Sequence, residues 1–168
     1  MEEFLIKILY FLIPCWLINS ALNILGYLKN RYSFLEKIDN PLDFNYKFID
    51  NRRVLGKSTT IIGLGVALLI GITIEFFLST VFWGIIKGLC IYLGHALGSF
   101  IKRRLNFMDS KFLPIVDHGD AIILTGLVFL ALNQINIYIF LFSLGLTYVF
   151  YPLICYIAYK LGLRTDPL

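Results

Sequence analysis

The chain has 168 residues, 58% of them hydrophobic and 15% charged, with a net charge of +4, a pI near 9.0 and a mean hydropathy of +0.78. Soluble domains carry about 25% charged and roughly 45–50% apolar residues, so this composition excludes a soluble globular domain and points to a lipid-embedded chain. A basic balance can signal nucleic-acid binding, but here the Lys and Arg residues lie beside apolar runs. That placement suits membrane topology and phosphate or lipid headgroups, and no nucleic-acid partner is expected.

A spanning helix needs about 20 predominantly apolar residues, which leaves room for roughly five spans and two useful loops. The first span runs from about Phe4 to Leu28. It follows the acidic Met1-Glu2-Glu3, which lacks the basic region of a cleaved signal peptide, so the span is expected to be retained. Pro14 lies mid-span and should kink it, tolerably where a neighbouring helix satisfies the carbonyl it frees. A polar stretch from Lys29 to Lys57 follows, with turns marked by Pro41 and nearby Asp and Asn. Apolar character from about Thr60 to Ile101 is twice one span and predicts a helical hairpin, breaking near Ser79 to Trp83. A second polar loop runs from Lys102 to about Gly119. The last apolar stretch, about Ala121 to Leu161, divides again at Asn133-Gln134 and Asn136.

The expectation is an all-α integral membrane protein, one membrane domain over residues 1–168 with about five transmembrane helices. Its loops are at about 29–58 and 102–119. The first holds Lys29, Arg31, Lys37, Lys47, Arg52, Arg53 and Lys57; the second holds Lys102, Arg103, Arg104 and Lys111. Lys160 and Arg164 lie in the tail, and with five spans all three segments share one side. The opposite side has only Lys7, near the amino end. The positive-inside bias assigns both loops and the C-terminus to the cytosol, as in a multi-pass protein of the cytoplasmic membrane.

Gly84 with Gly88, and Gly94 with Gly98, form two small-xxx-small pairs along the third span. They fit close helix packing, or a ridge that lets a lipid tail or phosphate approach the backbone. Cys15, Cys90 and Cys155 sit in apolar runs without metal-ligand spacing and are expected to be buried, inert thiols.

The densest chemistry runs from Gly94-His95 through Ser99 and Lys102-Arg103-Arg104 to Leu113-Pro114, Asp117, His118, Gly119 and Asp120. The basic triplet alone could be a topological anchor. Carboxylates at the mouth of a span are costly unless paired, hydrated or metal-bound, and Asp117 and Asp120, at i and i+3, share a helix face. Mg²⁺ commonly takes one or two protein carboxylates, with phosphate oxygens and water completing its shell. Metal and neighbouring cations would then spread the charge of phosphoryl transfer; a helix cap with a solvated neighbour is the structural alternative. Gly56-Lys57-Ser58-Thr59-Thr60, at a helix start, could cradle a phosphate, although the glycine spacing is not that of a nucleotide-triphosphatase loop. Glu75 and Lys87 lie inside predicted spans and are functional hypotheses by default, unless Glu75 lies towards the far surface and Lys87 snorkels.

With these residues assembled, the chain resembles the CDP-archaeol synthase family, related to the phosphatidate cytidylyltransferases, over essentially its whole length. The most specific element is Gly98-Ser99-Phe100-Ile101-Lys102-Arg103-Arg104-Leu105-Asn106, similar to the family's SFIKRRL segment. Leu113-Pro114 with Asp117 and Asp120 looks like its proline and D-x-x-D. Pro41, Asp43, Asp50 and Arg52-Arg53-Val54-Leu55-Gly56 resemble its first-loop motif, and Ala158-Tyr159-Lys160-Leu161-Gly162-Leu163 its closing segment.

The resemblance implies a five-span enzyme that uses CTP and Mg²⁺ to convert unsaturated archaetidic acid, a membrane lipid phosphate, into its CDP form, releasing pyrophosphate. It implies that Asp117 and Asp120 hold the metal and that Lys102, Arg103 and Arg104, with Ser99, grip phosphates. Arg52, Arg53, Lys57, Ser58, Thr59 and Thr60 would close over the nucleotide. His95 stands where the family usually has a metal-binding Asp; it could still ligate, but suits Mg²⁺ poorly. The family's K-T-x-R-G reads here as Thr59-Thr60-Ile61-Ile62-Gly63, without its arginine, and Tyr151 and Cys155 stand where His and Asn are expected. The leading expectation is therefore a CTP:lipid-phosphate cytidylyltransferase acting on an isoprenoid or acyl lipid phosphate, archaetidic acid or a related phosphatidate. A catalytically altered relative that binds lipid or scaffolds a membrane complex is the alternative, and a small transporter rests only on Glu75 and Lys87.

Overall fold

In lipid an unpaired backbone N–H or C=O costs several kcal/mol, so an apolar run of span length closes its hydrogen bonds within itself as a helix. The computed structural model of the chain describes residues 2–56, 59–105, 107 and 114–162. Met1, Lys57, Ser58, Asn106, Lys111, Leu113, Leu163 and Arg164, named above, lie outside the described residues, as does the His118 side chain. The helices are α1 (Glu2–Arg31), α2 (Ser33–Ile38), α3 (Ile61–Leu78), α4 (Val81–Arg104), α5 (Pro114–Ala131) and α6 (Ile137–Lys160). Helices α1, α3, α4 and α6 are long and apolar enough to cross a membrane, and α5 adds a shorter apolar stretch, Gly119–Ala131. With α5 the expected set of five long helices is present; α2 is a short helix within the first loop.

The turns fall where the polar residues lie. Helix α3 ends at Leu78 and α4 begins at Val81, inside the expected break. Between α5 and α6, Asn133 takes a positive φ of 55°, and the Asn136 side chain accepts from the Ile139 N–H at 2.8 Å, capping α6. Helix α4 packs closely on both neighbours. A Cβ on Gly88 would stand 2.7 Å from the Ala67 carbonyl oxygen of α3, and one on Gly94 would stand 2.6 Å from the Asp120 carbonyl oxygen of α5. The glycine pairs therefore bring backbones together, and Gly94 sets α4 against the part of α5 that carries Asp120. The three cysteines are buried thiols outside any disulfide.

Helix α1 runs unbroken through Pro14. Proline has no N–H for the carbonyl of residue 10, and that carbonyl is taken by another helix: Lys87 Nζ donates to Tyr10 O at 3.0 Å. The same ammonium pairs with Glu75 Oε1 at 2.5 Å and lies 5.5 Å from the Phe129 ring centre. The other Glu75 oxygen accepts from the Ser79 hydroxyl. Glu75 thus stands in the last turn of α3, beside Ser79, and Lys87 turns to it rather than to solvent. Both are buried, and together they pin α1, α3 and α4.

Candidate functional site

Residues along an α-helix rotate by about 100° each, so positions seven apart nearly coincide in direction and positions two apart are nearly opposed. Helix α4 uses both relationships at its charged end. His95 and Lys102 both face α5: His95 Nδ1 lies 3.2 Å from Asp120 Oδ2, and Lys102 pairs with Asp117. Arg104 faces the other way, towards the first loop. Its Nη1 bonds Asp50 Oδ1 at 2.5 Å and its Nη2 donates to Arg53 O at 2.9 Å.

The first loop folds back over the end of α4. Isolated bridges join Pro41 to Thr60 and Lys47 to Arg53, and Phe44, Asn45 and Asn51 take positive φ values at the bends. Asp43 organises its interior. It pairs with Arg53 at 2.8 Å and accepts from the backbone N–H groups of Leu55 at 2.9 Å and Asn45 at 3.1 Å. Burial pushes the Asp43 carboxyl up, but Arg53 and the two N–H groups outweigh it and hold it below the usual carboxylate range. Asp50 behaves alike: desolvation raises it, while the Arg52 N–H and the Arg104 charge bring it lower.

At its base the loop is tied to three helices. Lys29 of α1 pairs with Asp39 and donates to Thr60 Oγ1 at 2.7 Å. Asp39 Oδ1 accepts from the Ile62 N–H at 3.1 Å, and Thr60 caps α3 by accepting from the Gly63 N–H at 3.3 Å. The Tyr92 hydroxyl of α4 donates to Thr60 O, and the Thr59 hydroxyl donates to Ser99 Oγ at 3.4 Å. Arg52 Nη1 donates to Arg103 O at 3.1 Å.

Most of the residues singled out from sequence thus gather at one end of the bundle. They do different work there. Asp117, Asp120, Lys102 and His95 form one cluster between α4 and α5. Arg52, Arg53 and Arg104 hold the loop together and to α4, while Thr59, Thr60 and Ser99 sit at the loop's base. The arrangement can neutralise a polyanion with Lys and Arg while presenting two carboxylates to a cation beside it.

Three contributors carried weaker signals. Asn19 Oδ1 accepts from His95 Nε2 at 2.6 Å, Asp39 anchors the loop, and Tyr92 reaches its base. Asn19 had a periodic signal: Trp16, Asn19 and Asn23 fall at helical spacing along one face of an apolar span. All three are bonded across the bundle, Trp16 to Thr147 at 3.1 Å and Asn23 to Tyr151 at 2.8 Å.

Asp117 and Asp120 lie one turn apart on α5 and both turn towards α4. Two carboxylates beside cationic groups fit a magnesium ion that takes its other ligands from phosphates and water. Among the described residues no group of three or more His, Cys, Asp or Glu converges. Both ring nitrogens of His95 are engaged, one by Asn19 and one by Asp120, so in this arrangement the imidazole orients a carboxylate. A Cβ at Gly119 would meet the Tyr148 hydroxyl, so a larger residue inside this Asp-x-x-Asp would require that side chain to shift.

The comparisons with known proteins agree over nearly the whole chain. A family model described as CarS-like CDP-archaeol synthase matches residues 1–167. The CDP-archaeol synthase of Sulfolobus acidocaldarius is 34% identical over 138 residues, covering 78% of this chain and 85% of that protein. That of Saccharolobus solfataricus is 34% identical over 139 residues, covering 78% and 83%. That of Sulfurisphaera tokodaii is 33% identical over 138 residues, with the same coverage. A solved chain described as an intramembrane enzyme for archaeal membrane lipids biosynthesis shares the fold, with a TM-score of 0.64, 18% identity, and 85% of this chain and 89% of that one covered. With the family model spanning the chain from end to end and these relatives matching most of it, this protein belongs to the CDP-archaeol synthase family.

Proposed function

We propose that this chain is a membrane-embedded cytidylyltransferase that joins CTP to a membrane lipid phosphate and releases pyrophosphate. The observation that carries the reading is the α4–α5 cluster, where Asp117 and Asp120 face Lys102 and His95 at the end covered by the basic first loop. The relatives' name supports an archaetidic acid as the lipid, an isoprenoid ether phosphate rather than an acyl one. The whole chain, 1–168, would act as one membrane domain, its basic end in the cytosol beside the CTP supply.

A lipid phosphate oxygen attacks the α-phosphorus of CTP. The bond from that phosphorus to the bridging oxygen breaks, and pyrophosphate leaves with its electron pair. The nucleophile is already an anion, so neither a protein base nor a covalent protein intermediate is required. Asp117 and Asp120 would hold Mg²⁺, which when bound neutralises charge on the triphosphate. Lys102 exchanges Asp117 for a phosphate oxygen and holds the departing charge. His95, fixed by Asn19, keeps Asp120 in one orientation. Basic groups of the first loop close over the triphosphate from the other side.

The test is purified protein in detergent or vesicles with labelled CTP, Mg²⁺ and either archaetidic or phosphatidic acid. Lipid-dependent pyrophosphate release, largely lost in Asp117→Asn with thermal stability kept, is the expected result. A folded protein that turns over neither lipid with any divalent ion sinks the proposal.

A further inference from the structure

Lys102, Arg103 and Arg104 look alike in sequence, and a row of three cations beside a phosphate site invites one shared role. Their directions separate them. Lys102 is turned to the α5 carboxylates, whereas Arg104, about 200° further round the helix, is enclosed by the first loop. Its guanidinium carbon lies 5.0 Å from the Phe48 ring centre and 4.9 Å from the Phe100 ring centre, and those rings meet edge to face at 5.7 Å. One arm bonds the Asp50 carboxylate and the other the Arg53 carbonyl. Beside it, Arg52 ties the same turn to the Arg103 carbonyl. The turn itself is pre-shaped, with Asn51 at a φ of 59° and Asp50 accepting from the Arg52 N–H at 3.2 Å.

A planar fork that packs against two rings while bonding two oxygens is a task for arginine; an ammonium is a point charge and cannot do both. Any phosphate that drew the guanidinium out of the loop would have to break its bonds to Asp50 and the Arg53 carbonyl and both ring contacts.

From these contacts we infer that Arg104 is a positioning residue, not a phosphate ligand: through Asp50 and the Phe48 and Phe100 rings it clasps the Phe48–Arg53 turn onto α4, and so fixes where the loop meets the nucleotide. The nucleotide part rests on the function proposed above; the clasp itself does not.

A double-mutant cycle separates the two roles, because removing Asp50 takes away the anchor without taking away a cation. The variants are Arg104→Ala, Asp50→Ala, both together, and Arg104→Lys, with Asp50→Asn and Phe48→Leu as milder disruptions if an alanine variant fails to fold. Two quantities are measured on the full chain: the rate of limited proteolysis within residues 39–60 without nucleotide, and the Kd for CTP with Mg²⁺ by calorimetry. Each alanine variant should speed cleavage and weaken CTP binding by roughly tenfold, the double variant no more than either, and lysine should restore only part. Arg104→Ala weakening CTP while Asp50→Ala leaves affinity unchanged or tighter would make Arg104 a phosphate ligand and overturn the inference. Unchanged cleavage in both variants overturns the clasp, and faster cleavage with unaltered CTP affinity overturns its positioning role. A wild-type chain that binds no CTP counts against the proposed function, and the cleavage rates then decide the clasp alone.

Discussion

Two lysine–carboxylate pairs lie near opposite ends of α4, and their surroundings differ more than their chemistry. Lys87–Glu75 is deeply buried, with side chains 5% and 3% exposed at the wall of a cavity also lined by Lys7 and Trp83, and its polar atoms also reach the Tyr10 carbonyl and the Ser79 hydroxyl. Lys102–Asp117 is 14% and 24% exposed, at the charged mouth of the bundle. A deeply buried pair cannot trade partners without stranding a charge, so it serves as architecture. A partly exposed pair can trade its partner for a metal ion or a phosphate at smaller cost, so it can serve chemistry. The transporter idea rested on the first pair, and its enclosure by three helices accounts for both residues without a translocated solute.

The widest separation between the pairs should come from Lys87→Ala. Breaking one side of a buried pair costs about 3–5 kcal/mol, so unfolding in detergent should shift strongly, while joint Glu75→Leu and Lys87→Met should recover only part of the loss, because the Tyr10 carbonyl stays without its donor. A Lys87→Ala protein as stable as wild type would break the contrast. Asp117→Asn is the converse: stability within about 1 kcal/mol of wild type, and turnover reduced about 10²–10³-fold. Equal losses of stability in both variants would erase the distinction. A smaller effect tests the packing that carries the buried pair. Gly88→Ala forces a methyl against the Ala67 carbonyl and should cost about 1–3 kcal/mol, read as a lower melting temperature.

The smallest effect sharpens the comparison at the open end. Asp43 has a folded pKa below its unfolded value of about 3.9, so its contribution is complete above that value and is lost as pH falls through the folded one. Protease resistance of residues 39–60 should therefore be flat from neutral pH to about 5 and decline only below about 4. Asp43→Asn should remove the share of that decline carried by Asp43 and leave the share carried by Asp50.

The spans, their breaks and the basic end were legible because they depend on local quantities: the length of an apolar run, a polar pair at a turn, and the side on which cations gather. Ser79–Thr80 and Asn136 fell where a reader would put them. Partnerships were not legible. Glu75 and Lys87 stand 12 positions apart across a turn whose geometry decides whether they meet. The three adjacent cations of α4 are indistinguishable as letters, and only the elements packed on each side separate the carboxylate partner from the clasp. Likeness to a family drew attention to His95 as a metal ligand, but not to Asn19, which holds the other face of its ring.

The carbonyl that Pro14 releases also bears on how the chain is built into the bilayer. Its partner lies 77 residues downstream, so α1 enters lipid with an acceptor unmet until α4 arrives. Helix α3 carries Glu75 with the same deficit, and α4 supplies Lys87 to both. Insertion of the α3–α4 hairpin as a unit, followed by its docking on α1, is the sequence of events that leaves these groups unmet for the shortest time.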